Sequence, residues 1–253
     1  MSTDTEKPLA GKVALITGAA RRSGRATAIK LAADGAAVAI NTRRSVDAAN
    51  EVKQTIEAQG GKANVYMCDI TGEDAVNEMV QAITNDFGGI DILVNNAADR
   101  ARIPTLELTL AEWKRVIDII LDGAFLCTRA TLPHMLENKW GRIINISGDG
   151  NHAAFTERAH VHAGKGGLEA MTRSLSSEFC DQGVTVNTVS PGRIGGERAK
   201  TAGPLPKNAG AIPPVGFEGE PDDIGNMICF LCQPAAKYIT GQTIRVNGGL
   251  VLT

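Results

Sequence analysis

The chain is poor in aromatic residues, with 2 Trp, 2 Tyr and 6 Phe among 253. So few rings imply a core of aliphatic, Ala and Gly side chains, as where helices lie close on a sheet. An excess of one charge is also missing: 26 Lys and Arg stand against 28 Asp and Glu, a net charge of −2. That excludes a nucleic-acid binder driven by bulk positive charge. No run approaches the roughly 18 apolar residues of a membrane span, and the polar stretch Met1 to Leu9 holds no apolar signal core. These absences point to a cytoplasmic protein without nucleic-acid or membrane partners. The five cysteines, Cys68, Cys127, Cys180, Cys229 and Cys232, are odd in number and scattered, which fits reduced thiols rather than disulfides. Cys229 and Cys232 spell C-x-x-C, but inside the apolar stretch Met227 to Cys232 and without a second pair to complete a metal site. A buried helix face is expected there, and no metal.

What is present is an alternation of strand-length apolar runs with longer segments of helical period. Val13–Thr17 is followed by Arg25–Asp34, Ala37–Asn41 by Val46–Gln59, and Ala63–Met67 by Ala75–Phe87, before the run Ile90–Val94. Farther on, Glu112–Leu136 reads as one long helix, Arg142–Ser147 as a strand, Gly164–Cys180 as a helix and Val184–Val189 as a strand. Helix Asp222–Cys232 and strand Thr243–Val246 close the series. The strands are continuous apolar runs, so both faces are covered, which means a parallel sheet with helices on either side. The sequence predicts an α/β protein with a Rossmann-like, doubly wound parallel sheet in three layers, one domain over residues 1–253. Residues 191–221 are rich in Gly and Pro and too long for a simple connection; a substrate lid is expected there.

The first strand runs into Gly18-Ala19-Ala20-Arg21-Arg22-Ser23-Gly24 and then a helix. Glycines at such a turn let the backbone approach a pyrophosphate, whose charge is stabilised by amide groups at the helix N-terminus. An NAD site has an acidic residue after the second strand to hold the ribose 2′-hydroxyl. Here that place reads Arg43-Arg44-Ser45. An acid would repel a 2′-phosphate, whereas guanidinium groups bind it through charge-assisted, bidentate hydrogen bonds. NADP(H) is the cofactor these residues predict.

With these pieces in place the chain resembles the short-chain dehydrogenase/reductase family along nearly its whole length. The matching motifs are Thr17-Gly18 with Gly24, Cys68-Asp69-Ile70, Asn95-Asn96-Ala97, Ile144-Asn145-Ile146-Ser147, Lys165, Val186-Asn187-x-Val189-x-Pro191-Gly192, and Thr240-Gly241-Gln242 with Gly248-Gly249. The glycine turn, with Arg22 where the family usually has its middle glycine, is similar to that of pteridine reductases. The resemblance implies that Asp69 and Ile70 border the adenine, that Asn95 holds its strand end beside the ribose, and that Lys165 binds the nicotinamide-ribose hydroxyls. It adds Ser23, Ala97, Pro191, Gly192 and Ile194 to the cofactor contacts, and it implies a homo-oligomer, a tetramer or dimer.

The resemblance breaks at the family's proton-transfer residues. Counting back four from Lys165, where the family has its tyrosine, gives Val161, and thirteen further, at the serine, gives Gly148. The helix asparagine that supports a water relay falls at Ile120, and the threonine that touches the carboxamide at Gly196. Tyr66 and Tyr238 are followed four residues on by Ile70 and Gln242, so no Tyr-x-x-x-Lys pair exists. Valine has no proton to transfer, and losing a general acid costs about 10²–10⁴-fold in rate. The replacement candidates are Lys165 itself, His162, His160 and Asp149. At 100° per residue His162 lies about 60° from the Lys165 direction and His160 about 140° away, so His160 reaches the pocket only from a preceding loop. Asp149 follows a strand's carboxyl end, where doubly wound folds bind ligands. The sequence supports an atypical NADP(H)-dependent oxidoreductase acting on a small organic substrate with a non-standard proton donor. A non-redox enzyme (lyase, isomerase or cyclase) or a catalytically silent NADP-binding protein on the same fold remains open.

Overall fold

The structure, a computed structural model, describes residues 7–153, 155–196 and 212–252. Seven parallel strands, β1 (Val13–Ile16), β2 (Ala37–Thr42), β3 (Lys62–Met67), β4 (Ile92–Asn95), β5 (Gly141–Ile146), β6 (Val184–Pro191) and β7 (Thr243–Val246), lie in the order β3-β2-β1-β4-β5-β6-β7. The chain winds outward in both directions from β1 and β4. Their carboxyl ends form the switch point at which doubly wound sheets bind ligands.

Seven α-helices connect these strands: α1 (Arg22–Ala33), α2 (Val46–Ala58), α3 (Glu73–Phe87), α4 (Leu110–Ile117), α5 (Gly123–Glu137), α6 (Ala159–Phe179) and α7 (Pro221–Cys232). Strand side chains alternate between the two faces. Ala14, Ile16, Val38, Ile40, Ile92, Val94, Ile144 and Ile146 pack with Leu31 of α1, Val52 and Ile56 of α2, and Ile224 and Ile228 of α7. Val13, Leu15, Leu93, Ile143 and Val186 face Val76 and Ile83 of α3 and Cys127 and Met135 of α5. Both faces are therefore covered, as the unbroken apolar runs require. Cys229 and Cys232 are buried on α7 as free thiols.

Two expectations are corrected. The segment read as one long helix, Glu112–Leu136, is two helices joined through a π-helical turn at Asp118–Asp122. Gly123 closes that turn against Ile70, whose Cδ1 would lie 2.8 Å from an added Cβ. Hydrophobic periodicity does not register one wider turn, and such turns recur at functional sites. The helix expected from Gly164 begins instead at Ala159. His160 and Val161 are buried against neighbouring elements, and this tertiary packing starts the helix before its apolar period is visible in sequence.

Candidate functional site: a dinucleotide cleft with an altered proton-transfer end

The turn between β1 and α1 is held open by short polar ties. The Thr17 hydroxyl accepts from the amides of Asn96 at 3.0 Å and Ala97 at 3.1 Å, so β4's end is fixed to the turn. Asn96 Nδ2 donates to the carbonyls of Thr17 and Gly18 at 2.9 and 3.0 Å, and Asn41 Oδ1 accepts from the Gly18 amide. Gly18 has φ +63°, and an added Cβ there would come within 3.1 Å of Ala97 Cα. At Gly24 a Cβ would lie 2.7 Å from Asn96 Nδ2 and from the Gly18 carbonyl oxygen. The turn thus admits only glycine at these two places, and its shape is that of a phosphate cradle at a helix N-terminus.

Arg22 takes φ +51°, a left-handed conformation costing roughly 1–2 kcal/mol without glycine. Its guanidinium donates to the carbonyls of Ile194 at 3.1 Å and Gly195 at 3.3 Å, spanning the cleft. Ser23 follows it in the first turn of α1, half-buried. On the far side, Pro191 ends β6, the Gly192 amide donates to the Val246 carbonyl, and the Gly195 amide donates to the Gly219 carbonyl at 2.7 Å. The described ends of the expected lid are therefore pinned to each other and to β7; residues 197–211 of it lie outside the described residues.

At the end of β2, Arg43 and Arg44 are exposed and Ser45 is half-buried. Arg43 pairs with Asp69 at 3.2 Å. Partial burial alone would raise the Asp69 carboxyl, but hydrogen bonds from the Thr71 hydroxyl and amide and from Arg43 outweigh it and hold Asp69 below the usual carboxylate range. Ile70 is buried beside it. Asn95 is buried in the sheet, its amide donating to Asn145 Oδ1 at 2.9 Å and Thr128 at 3.3 Å. It ties β4 to β5 and α5, while the neighbouring Asn96 is the one that faces the turn. These donors and the glycine cradle fit a dinucleotide with a 2′-phosphate.

At the other end of the cleft, Lys165 is 4% exposed and its ammonium donates to the Ile146 carbonyl. Burial, with a smaller contribution from Arg100, lowers its pKa to about 7, against an opposing pull from Glu169. Val161, one turn earlier, joins Ile120, Val116, Ala124 and Leu168 in one buried apolar cluster. Gly148 leaves β5 with its Cβ position facing nothing within 4 Å.

The other candidates are placed as follows. His160 is fully buried on the first turn of α6, not in a loop, and neither ring nitrogen has a hydrogen-bond partner among the described residues. Burial lowers its pKa, in a setting of Glu112, Arg115, Asp99 and Arg158. The inward turn from a preceding loop is thus ruled out by the early start of the helix. His162 is half-buried and is likewise shifted down by burial and by Arg158 and His160. Asp149 is 1% exposed and accepts from Ser190 at 2.7 Å, Arg245 at 3.1 Å and Asn247. Three donors already engage its carboxylate, which fastens the loop after β5 to β6, β7 and the segment beyond.

Sequence reasoning missed Asn41 and Asn96 as organisers of the turn, and Glu169 and Arg245 altogether. The signal for Glu169 was its spacing of four from Lys165, which puts both on one helix face.

A doubly wound parallel sheet whose switch point carries a glycine turn and a basic ribose end defines a dinucleotide-binding protein of Rossmann type. Residues 18–251 match the family model described as enoyl-(acyl carrier protein) reductase. A 3-oxoacyl-(acyl-carrier-protein) reductase of Synechocystis sp. is 39% identical over 250 residues, covering 96% of this chain and 98% of that protein. The 3-oxoacyl-(acyl-carrier-protein) reductase FabG of Aquifex aeolicus is 35% identical over 97% of this chain and 99% of its own length. The solved structure of a double mutant of a Serratia marcescens short-chain dehydrogenase/reductase superposes with a TM-score of 0.89 at 31% identity, covering 96% of this chain and 99% of that one. The chain belongs to the short-chain dehydrogenase/reductase family of oxidoreductases.

Proposed function

We propose that the chain is an NADP(H)-dependent oxidoreductase that reduces a carbonyl of a small organic substrate, with Lys165 supplying the proton. NADP(H) is its cofactor; when bound, it supplies or accepts the hydride. The observation that carries this reading is the glycine cradle of Gly18 and Gly24 facing Asn96, with Arg43 and Arg44 at the ribose end. Ser23 and the amides around it hold the pyrophosphate, Asp69 and Ile70 border the adenine, and Ala97, Pro191, Gly192 and Ile194 line the rest of the cleft.

Lys165 takes the acid's role because the alternatives are engaged or turned away. Val161 has no proton, Asp149 serves three donors, and His160 is sealed beneath α4 and α6. An ammonium whose pKa lies near 7 is matched to proton transfer at neutral pH. Because the relatives above are named for 3-oxoacyl substrates, a 3-oxoacyl thioester is the first substrate to test. The homo-oligomer implied by the resemblance, a tetramer or dimer, belongs to the same proposal. Exposed Leu110 and Phe125 on α4 and α5 support it, and sedimentation would read it. Among the described residues no helix is long and apolar enough to cross a membrane.

The test is transfer of deuterium from 4-deuterated NADPH to product, followed by mass spectrometry over a panel of carbonyls, imines and alkenes in both directions. Label in one product class supports the reading. Tight NADPH binding with no transfer to any of them overturns it in favour of a catalytically silent binder, the reading that the apolar Val161 and Ile120 cluster favours.

A further inference from the structure

We propose that Glu169 and His152, with Ser147 as the positioning residue, form the path by which Lys165 regains its proton from solvent. This rests on the reading of Lys165 as the proton donor. A donor that turns over must be refilled, and the family's water relay past the helix asparagine meets Ile120 here, which is 1% exposed within an apolar cluster. An apolar seal of that kind offers a relayed proton no hydrogen-bonding group.

A second route is built beside it. Glu169 lies one turn beyond Lys165 on α6, at the i,i+4 spacing that puts two side chains on one face. Its carboxylate favours the Lys165 ammonium, while Arg100, from the loop after β4, opposes it. One oxygen of Glu169, Oε1, accepts the Ser147 hydroxyl at 2.5 Å and faces His152 Nε2 at 3.1 Å. Ser147 directly follows Ile146, whose carbonyl accepts from Lys165, so consecutive residues at the end of β5 hold the ammonium and the carboxylate. Exposure increases along the path: the Glu169 side chain is 9% exposed and that of His152 27%. The series therefore runs from the buried amine to water through groups that can each carry a proton.

The proton balance closes. After Lys165 gives one proton to the substrate oxygen and becomes a neutral amine, the His152 imidazolium passes its Nε2 proton to Glu169 Oε1. Glu169 delivers a proton to Lys165 Nζ, and His152 takes another from water. No electrons move in these steps; the hydride comes from NADPH.

The test reads proton exchange rather than activity alone. Exchange of the Lys165 Nζ protons with water is measured by NMR on the full chain with 15N-labelled lysine, in wild type, His152→Ala, Glu169→Gln and Ser147→Ala. The path predicts exchange about 10-fold or more slower in His152→Ala, restored by added imidazole, and slower again in Glu169→Gln. Glu169→Gln also lowers the Lys165 titration midpoint, because the carboxylate's support is gone. His152 sits near the surface, so His152→Ala keeps the fold even if Glu169→Gln does not. Unchanged exchange in His152→Ala overturns the proposal. If exchange slows as predicted but wild type with NADPH reduces no carbonyl, the path stands as a property of Lys165 and the oxidoreductase reading fails.

Discussion

Arg43 lies 3.2 Å from Asp69, so a cation at the end of β2 is held across the adenine side of the cleft by the carboxylate that follows β3. Both side chains are close to half exposed, and a pair of that kind adds little to stability. Its consequence is placement: the guanidinium is held where a ribose 2′-phosphate would lie, next to Arg44. Arg43→Ala with Arg44→Ala is expected to weaken NADPH by about 10-fold or more while leaving NADH nearly unchanged, since only the first carries the phosphate. Fluorescence titration with both nucleotides measures this, and equal weakening would remove the 2′-phosphate assignment.

Asp149 is expected to act through the fold rather than through chemistry. Its carboxylate is buried, and Arg245 beside it is 15% exposed. Removing one partner of a buried ion pair costs about 3–5 kcal/mol, and the residual solvent contact of Arg245 puts Asp149→Ala near the lower end, about 3 kcal/mol. Urea denaturation of wild type and Asp149→Ala gives the difference. A variant as stable as wild type but without turnover would return Asp149 to the list of proton donors.

Val161 marks where the chain departs from its family, and the departure is also a packing matter. A tyrosine placed at 161 alone would overfill the cluster shared with Ile120, at a cost of about 1–3 kcal/mol. Gly148, by contrast, has open space at its Cβ position. The triple variant Gly148→Ser, Ile120→Asn, Val161→Tyr is expected to relieve the overfilling. It should raise NADPH-dependent reduction of a 3-oxoacyl thioester by about 10²-fold or more, the contribution of a general acid. Steady-state rates on the purified variants decide it.

The sheet and the cofactor end were legible because they rest on local signals. β1 to β7 appear as apolar runs, Gly18 and Gly24 as a turn, and Arg43-Arg44 as a basic pair at a defined position. What was not legible depends on contacts distant in sequence. The π-helical turn at Asp118–Asp122 alters no hydrophobic period, and the early start of α6 comes from burial of His160 and Val161 rather than from propensity. Asp149 looked like a free carboxylate because Arg245 and Asn247, its partners, lie 96 and 98 residues away. Glu169 carried no motif, and only its bonds to Ser147 and His152 gave it a place in the site.

Lys165 gives the pH behaviour a sign that can be checked. Its pKa falls from an ordinary 10.5 to about 7, first through burial and then through Arg100. Between those two values the folded chain binds fewer protons at this group than the unfolded chain does, so stability rises with pH across that window and the gain is lost as pH falls through 7. The rise is on the order of a few kcal/mol and should vanish in Lys165→Met. For catalysis the direction reverses, because a donor must carry its proton. Reduction is expected to decline as pH climbs through about 7, and oxidation of the corresponding alcohol to increase over the same range. Parallel denaturation and rate profiles of wild type and Lys165→Met separate the two effects. A reduction rate that stays flat from pH 6 to 9 while stability still rises would keep Lys165 as a buried structural amine and transfer the donor role to His162.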